Sequence, residues 1–200
     1  QRQMCIRDSS TVGQLSYVVL GAALLAPLSI LGAYFHIVAH ALMKITLFMC
    51  AGAIIVTAHK DNISDMHGIG RKMPITMACY TIASLGIAGM PFIVGFISKW
   101  NIALGALQVS QPFYIVVLIC SALLALSYLM PVTHLAFFKP NENGEFKTYG
   151  EANKFMLIPI CVTAALSVIL GIMPNFGPHL YDLASMAAQS ITQGWIGGGW

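Results

Sequence analysis

Charge is the scarcest commodity in this sequence. Only 8% of its 200 residues are Asp, Glu, Lys or Arg, while 58% are hydrophobic; an average globular domain is roughly 25% charged. Too few charges remain to cover a water-facing surface, which excludes a cytosolic enzyme and a disordered chain. A strong field of one sign is also missing. Ten Lys+Arg against seven Asp+Glu leave +3, too little to hold a polyanion, so no nucleic-acid partner is expected. Paired cysteines are missing too. Cys50, Cys79, Cys120 and Cys161 stand in separate apolar runs with no C-x-x-C, which excludes a zinc ribbon or a thioredoxin-type pair; they read as small buried hydrophobes. No nucleotide, flavin or iron–sulfur motif occurs. The expectation is a chain with no cofactor and no catalytic chemistry of its own.

What abounds is long apolar stretches. Runs of eighteen or more such residues read as membrane-spanning helices, and five are counted, over 12–33, 34–58, 75–107, 113–138 and 155–173. They are continuous, without the ten-residue alternation of a membrane barrel. The fold class read from this pattern is an all-α membrane protein with about five spans, whose non-protein partner is the lipid bilayer. Five spans put the 59–74 and 139–154 loops on one side, with Lys60, Arg71, Lys72, Lys139, Lys147 and Lys154, and leave the opposite turns and tail without Lys or Arg. That asymmetry makes the two loops cytoplasmic and the C-terminus external. The tail, 176–200, is read as external or interfacial, with a short helix over 179–191 and Trp195 and Trp200 at the outer boundary. Residues 1–9 (QRQMCIRDS) differ sharply in character from the apolar run after them; they read as a non-native start fused to a truncated membrane protein.

Ionisable groups inside spans are functional candidates, because each costs about 2.5–3.5 kcal/mol at a helix centre on insertion scales. His36, His40, Lys44 and Lys99 are such groups. The first three form H-x-x-x-H-x-x-x-K. At roughly 100° per residue they fall within an arc of about 80° on one helix face, about 6 Å apart in height. Two imidazoles can pass a proton by accepting on one nitrogen and releasing from the other. A terminal lysine can hold or release it when burial disfavours the ammonium. A single histidine in such a place more often just bonds a neighbouring helix; three groups in register point to a proton relay. His134, near the end of the fourth span, is a possible accessory, or simply a side chain reaching the headgroups.

The third run is too long for one straight span. Its 33 residues would make about 50 Å of helix against a hydrocarbon core of about 30 Å. The stretch over 84–95 supplies a break: Pro91 lacks an amide proton, and Gly86, Gly89 and Gly95 permit unwinding. Freed backbone at membrane depth is tolerated where it lines a cavity or is buried in protein, and discontinuous helices mark ion sites in transporters. Lys99 comes about two turns later. Without the break, a proline kink with Lys99 reaching outward would be the alternative.

Three stretches carry a family resemblance. Residues 10–17 (STVGQLSY) resemble S-T-x-x-Q-x-x-Y; residues 35–52 (FHIVAHALMKITLFMCAG) resemble H-x-x-x-H-A-x-x-K-x-x-L-F-x-x-A-G; and residues 88–100 (AGMPFIVGFISKW) resemble G-x-P-x-x-x-G-F-x-S-K. Together they make residues 10–175 similar to the C-terminal part of the antiporter-like subunits shared by complex I and Mrp-type cation:proton antiporters. The resemblance implies a fourteen-helix subunit of two inverted five-helix repeats, each with a broken helix, of which this chain holds most of the second. It implies that Lys44 is the central relay lysine, Lys99 the lysine after the broken helix, and His36 and His40 the histidines beside the relay. Some relatives carry Glu at the Lys99 position, so the lysine here leans away from that branch. The 68–74 linker and the Ser98-Lys99-Trp100 ending look closest to the MrpD-like proteins, with hydrogenase subunits hard to separate.

The resemblance also implies an integral protein of a prokaryotic plasma membrane, with other membrane subunits of an antiporter or oxidoreductase complex as partners and protons, with Na+ in the antiporter case, as cargo. The first repeat is absent, so a complete pump is not expected in this chain alone. A charged Lys44 would raise the cost of charging Lys99, coupling the two sites. Two other classes stay open. One is a haem- or metal-binding subunit using His36 and His40 with Met43 or Cys50, against which stand the three or four ligands zinc usually takes and the repelling charge of Lys44. The other is a non-conducting structural subunit.

Overall fold

A computed structural model of the chain describes residues 2–58, 67–138, 150–177 and 179–197, with side chains described within 11–193. Among the described residues all regular structure is helical: α1 (Arg2–Ala23), α2 (Pro27–Ala58), α3 (Ile69–Lys72), α4 (Pro74–Ala88), α5 (Val94–Gln108), α6 (Phe113–Phe137), α7 (Lys154–Ile172) and α8 (Leu180–Gly197). By length and composition α2, α6 and α7 can cross a membrane; the apolar part of α1, Thr11–Ala23, and α4 are shorter.

The boundary between the first two apolar runs is not at 33–34. The chain turns at residues 24–26 instead, and α2 is a single helix through Tyr34. The reason is local. Pro27 opens α2 at a position where its missing amide costs nothing, and Leu25 takes a left-handed φ of 52°. Ser29 then reaches back: its Oγ accepts from the Ala26 amide at 3.2 Å, and its hydroxyl donates to the Ala26 carbonyl at 2.8 Å. This is a capping interaction of the kind that fixes a helix start. Composition is apolar on both sides of the turn, so hydropathy alone could not place it.

α2 is the axis of the bundle, and α1, α4, α5, α7 and α8 pack on it. The α2–α5 contact is especially close because small residues form it. A Cβ on Gly32 would lie 2.8 Å from the Ser98 carbonyl oxygen, and one on Gly105 would lie 2.5 Å from the Ser29 amide. Small residues are how helices approach in a bilayer, where apolar burial between helices offers little. This approach matters for the site, because α5 carries Ser98 and Lys99 while α2 carries the histidine ladder.

The central core joins Phe35, Met43, Ile87, Ile93 and Val94 with Leu129 of α6 and Leu170 of α7. Two cysteines, Cys50 and Cys79, are buried as expected, but Cys120 lies on the exposed face of α6 and Cys161 is half-buried. The expectation that all four are buried fails there because α6 turns much of its apolar surface outward, including Val116, Ile119, Leu123 and Leu124.

At one end of the bundle several connections meet. The Gly68 amide donates to the Leu135 carbonyl near the end of α6, the Gly150 amide donates to the Lys72 carbonyl, and Lys72 Nζ donates to the Thr57 carbonyl at 3.4 Å. Arg71, Lys72 and Lys154 share this end; Lys60, Lys139 and Lys147 lie outside the described residues. The start of α4 is capped from far along the chain. Glu151 accepts from the Ile75 amide at 2.7 Å and from the Thr76 hydroxyl at 2.8 Å, so a carboxylate satisfies a free helix amide and complements the positive end of the helix dipole. Glu151→Ala should therefore lower stability by about 1–2 kcal/mol, and Glu151→Gln by less. Thermal unfolding of the detergent-solubilised protein checks this; equal midpoints for wild type and Glu151→Ala would contradict it.

Candidate functional site

The site forms around the gap between α4 and α5. α4 stops at Ala88, and Gly89 takes a left-handed φ of 93°. Its amide donates to the Gly86 carbonyl, and the Met90 amide donates to the Leu85 carbonyl, both at 3.0 Å. This is a Schellman closure. The last four carbonyls of a helix lack intrahelical partners, and the closure serves Leu85 and Gly86. Ile87 and Ala88 remain, and Lys99 serves both: its Nζ donates to the Ile87 carbonyl at 2.6 Å and to the Ala88 carbonyl at 3.3 Å. The ammonium thus sits at the negative end of the α4 dipole.

Residues 89–93 connect the two helices, with Pro91 in the turn and Phe92 at a left-handed φ of 70°. Of the glycines singled out from the sequence, only Gly89 uses its conformational freedom. Gly86 and Gly95 are helical and serve close approach. A Cβ on Gly86 would meet Met43 Sδ and Ile93, and one on Gly95 would collide with the Gly86 carbonyl. Their absent side chains let the start of α5 fold back against the end of α4 and against α2.

The ladder lies on the buried face of α2. His36 is fully buried, and His40, Lys44 and Lys99 are each no more than 9% exposed. The His36 and His40 rings are nearly parallel, with centroids 6.2 Å apart. Lys44, near the middle of α2, holds its Nζ 5.6 Å from the Phe48 ring centre. The link to α5 runs through His36, whose Nδ1 is 2.7 Å from Ser98 Oγ. Ser98 also donates to the Gly95 carbonyl at 3.0 Å. A serine hydroxyl has one proton. Both contacts are therefore hydrogen bonds only if Ser98 donates to Gly95 and His36 donates Nδ1–H to Ser98. This assigns the Nδ1–H tautomer and leaves Nε2 with a lone pair. His36 Nε2 approaches the Gln14 backbone without closing a hydrogen bond, and His40 Nε2 and Gln14 Oε1 are also buried without a partner among the described residues. Buried polar atoms are rarely left unsatisfied, so this lining suits ordered water.

Tyr17 and Ser98 fall within the sequence motifs, yet no local signal marks either for a role. Tyr17 is 3% exposed, and its face carries Lys99 Nζ at 4.8 Å from the ring centre. Its ring meets that of His36 at 5.4 Å and 69°, and its hydroxyl donates to Ser121 on α6 at 2.6 Å. The structure thus brings together His36, Ser98, Tyr17 and Lys99, with His40 and Lys44 continuing along α2. His134 is not among them. It is exposed near the end of α6 with its ring stacked on Phe138. Met43 packs at Gly86 and Gly95, and Cys50 Sγ donates to the Thr76 carbonyl at 3.5 Å, so the helpers suggested for a metal are engaged elsewhere. Among the described residues no group of three His, Cys, Asp or Glu side chains is placed to hold a metal ion.

A helical, predominantly apolar bundle with imidazoles and ammoniums buried at its centre defines the class: an integral membrane protein of the ion-translocating kind of scaffold. Residues 8–125 match the family described as NADH:quinone oxidoreductase/Mrp antiporter, TM. The match covers more than half of the chain, and the chain belongs to this family. It is 36% identical over 174 residues to NADH-quinone oxidoreductase subunit N of Desulforudis audaxviator, covering 82% of this chain and 35% of that protein. The fold is similar to a chain of the Mrp complex from Dietzia sp. DQ12-45-1b (TM-score 0.78, 18% identity, 90% of this chain and 41% of that one). It is also similar to a chain of the archaeal membrane-bound sulfane sulfur reductase (TM-score 0.66, 26% identity, 82% and 31%). The chain spans about a third of the length of the first curated relatives it matches.

The Nδ1–H tautomer of His36 is a direct expectation of the Ser98 contact. Nitrogen chemical shifts of labelled histidine in lipid bilayers should show it, and Ser98→Ala should convert it to a mixture. A pure Nε2–H form in the wild-type protein would contradict the assignment.

Proposed function

We propose that this chain is part of a proton-translocating membrane subunit of the complex I and Mrp antiporter kind, and that protons move along Lys44, His40, His36 and Lys99. The observation that carries the reading is the contact of His36 with Ser98. It brings the α2 ladder against the helix that holds Lys99 at the gap between α4 and α5. α4 and α5 act as the two halves of one interrupted membrane crossing, the second-repeat broken helix of the resemblance. Each half is 15 residues, or about 22 Å of helix against a core of about 30 Å, so neither crosses alone.

The order of the groups comes from their placement. His36, not Lys44, is the ladder's contact with α5, so a proton leaving Lys44 passes both imidazoles before reaching Lys99. His36 accepts on Nε2 while Nδ1–H stays on Ser98, and water bridges the steps between Nε2 atoms and the ammonium groups. Lys99 is the end of this stretch, held at the α4 carbonyls until a neighbouring charge displaces its proton. Like charges along the row disfavour one another, so occupancy at Lys44 is felt at Lys99 and the row titrates as a coupled unit. Other membrane subunits supply the driving reaction, or the exchange of Na+ where the parent is an antiporter. The end that gathers Arg71, Lys72 and Lys154 faces the cytoplasm by the positive-inside rule.

The test is proton flux. The intact complex carrying this chain is reconstituted in vesicles with an internal pH dye. Lys44→Ala and Lys99→Ala should each lower flux by about a hundredfold or more, the scale of losing a positioned proton-transfer group, with subunit assembly unchanged. Assembled complexes with undiminished flux in both variants would refute the relay.

A further inference from the structure

An ammonium has three N–H donors, and the structure accounts for all three at Lys99. Two go to the Ile87 and Ala88 carbonyls. The third direction is taken by the face of Tyr17, 4.8 Å from Nζ to the ring centre, within the range at which an aromatic quadrupole attracts a cation. Tyr17 is itself fixed. Its hydroxyl donates to Ser121 on α6 and its ring leans on His36 of α2, so α1 contributes an aromatic surface at the junction of three other helices. The ring touches both the last imidazole of the ladder and the lysine beyond it.

We propose that Tyr17 is a positioning residue for Lys99: its ring face is the third partner of the ammonium and holds Nζ at the end of α4, within reach of the His36 side of the site. This rests on the relay reading of Lys99. Tyr17 transfers no proton. It fixes where the charged form of Lys99 resides, because only a cation is drawn to the ring face, and a neutral amine loses that attraction. The geometry also explains why a tyrosine rather than an aliphatic residue suits the place: an apolar side chain of similar bulk would fill the space but leave one ammonium donor without a partner in a buried setting.

The test separates charge attraction from packing. In the intact complex in vesicles, position 17 is replaced in turn by phenylalanine, 3,5-difluorophenylalanine and 3,4,5-trifluorophenylalanine. The ring shape is nearly constant while the negative face is progressively depleted. Flux should fall in that order, roughly three- to thirtyfold across the series, and Tyr17→Leu should be at or below the bottom of it. A flat series, with all three rings giving the same flux in assembled complexes, would overturn the proposal. Lys99→Ala is the control that distinguishes the two claims. If Lys99→Ala keeps full flux, the relay reading itself fails. If Lys99→Ala abolishes flux while the ring series is flat, only the role of Tyr17 fails.

Discussion

A helix that ends inside an apolar bundle leaves carbonyls that must find donors, and in this protein a lysine ammonium supplies them. That exchange is the constraint on which the rest of the site depends. α4 ends at Ala88 with two carbonyls beyond the reach of its own closure, and Lys99 of α5 comes back to meet them. The cost of a buried cation and the cost of unsatisfied backbone are each several kcal/mol alone; set against one another they become mutually compensating. Gly86 and Gly95 are part of the same solution, since any side chain there would push the two helix ends apart.

The compensation gives the site its chemical character. A lysine held by two carbonyls and an aromatic face is stable as a cation, yet each of those partners is a dipole or a quadrupole rather than a full negative charge. The described site contains no carboxylate against Lys99 that would lock the charge in place. Its state therefore responds to other charges in the row, which is what a coupled relay needs. Ser98, the residue before Lys99, points to His36, so consecutive residues of α5 address the ladder and the helix end together. The small-residue contact of α2 with α5 keeps those two engagements in register.

Much of this was legible in the sequence, for a physical reason. An ionisable residue in an apolar run stands out because its burial is expensive, so His36, His40, Lys44 and Lys99 declare themselves, and their spacing puts the first three on one face. Proline and glycine within an apolar run declare a local feature in the same way. What could not be read were partners distant in sequence. Ser98 lies 62 positions from His36, and Ser121 lies 104 from Tyr17; nothing local marks a serine or tyrosine as a site residue when its partner comes from another helix. The turn at residues 24–26 was hidden by uniform hydropathy. The glycines were legible as a group, but their division of labour was not, because close approach depends on what the neighbouring helix brings. His134 shows the opposite case: its sequence context near a span end left both readings open, and its exposure beside Phe138 sets it apart from the cluster.

The central claim is that a buried file of titratable groups is joined by water into a path. The most direct measurement is a cryo-electron microscopy map of the intact complex in a lipid nanodisc, at a resolution that shows ordered solvent. The account predicts waters within about 3 Å of His36 Nε2 and His40 Nε2, continuing to the ammonium groups of Lys44 and Lys99. A map in which those nitrogens face only packed apolar side chains, with no solvent between the ladder and Lys99, would contradict it.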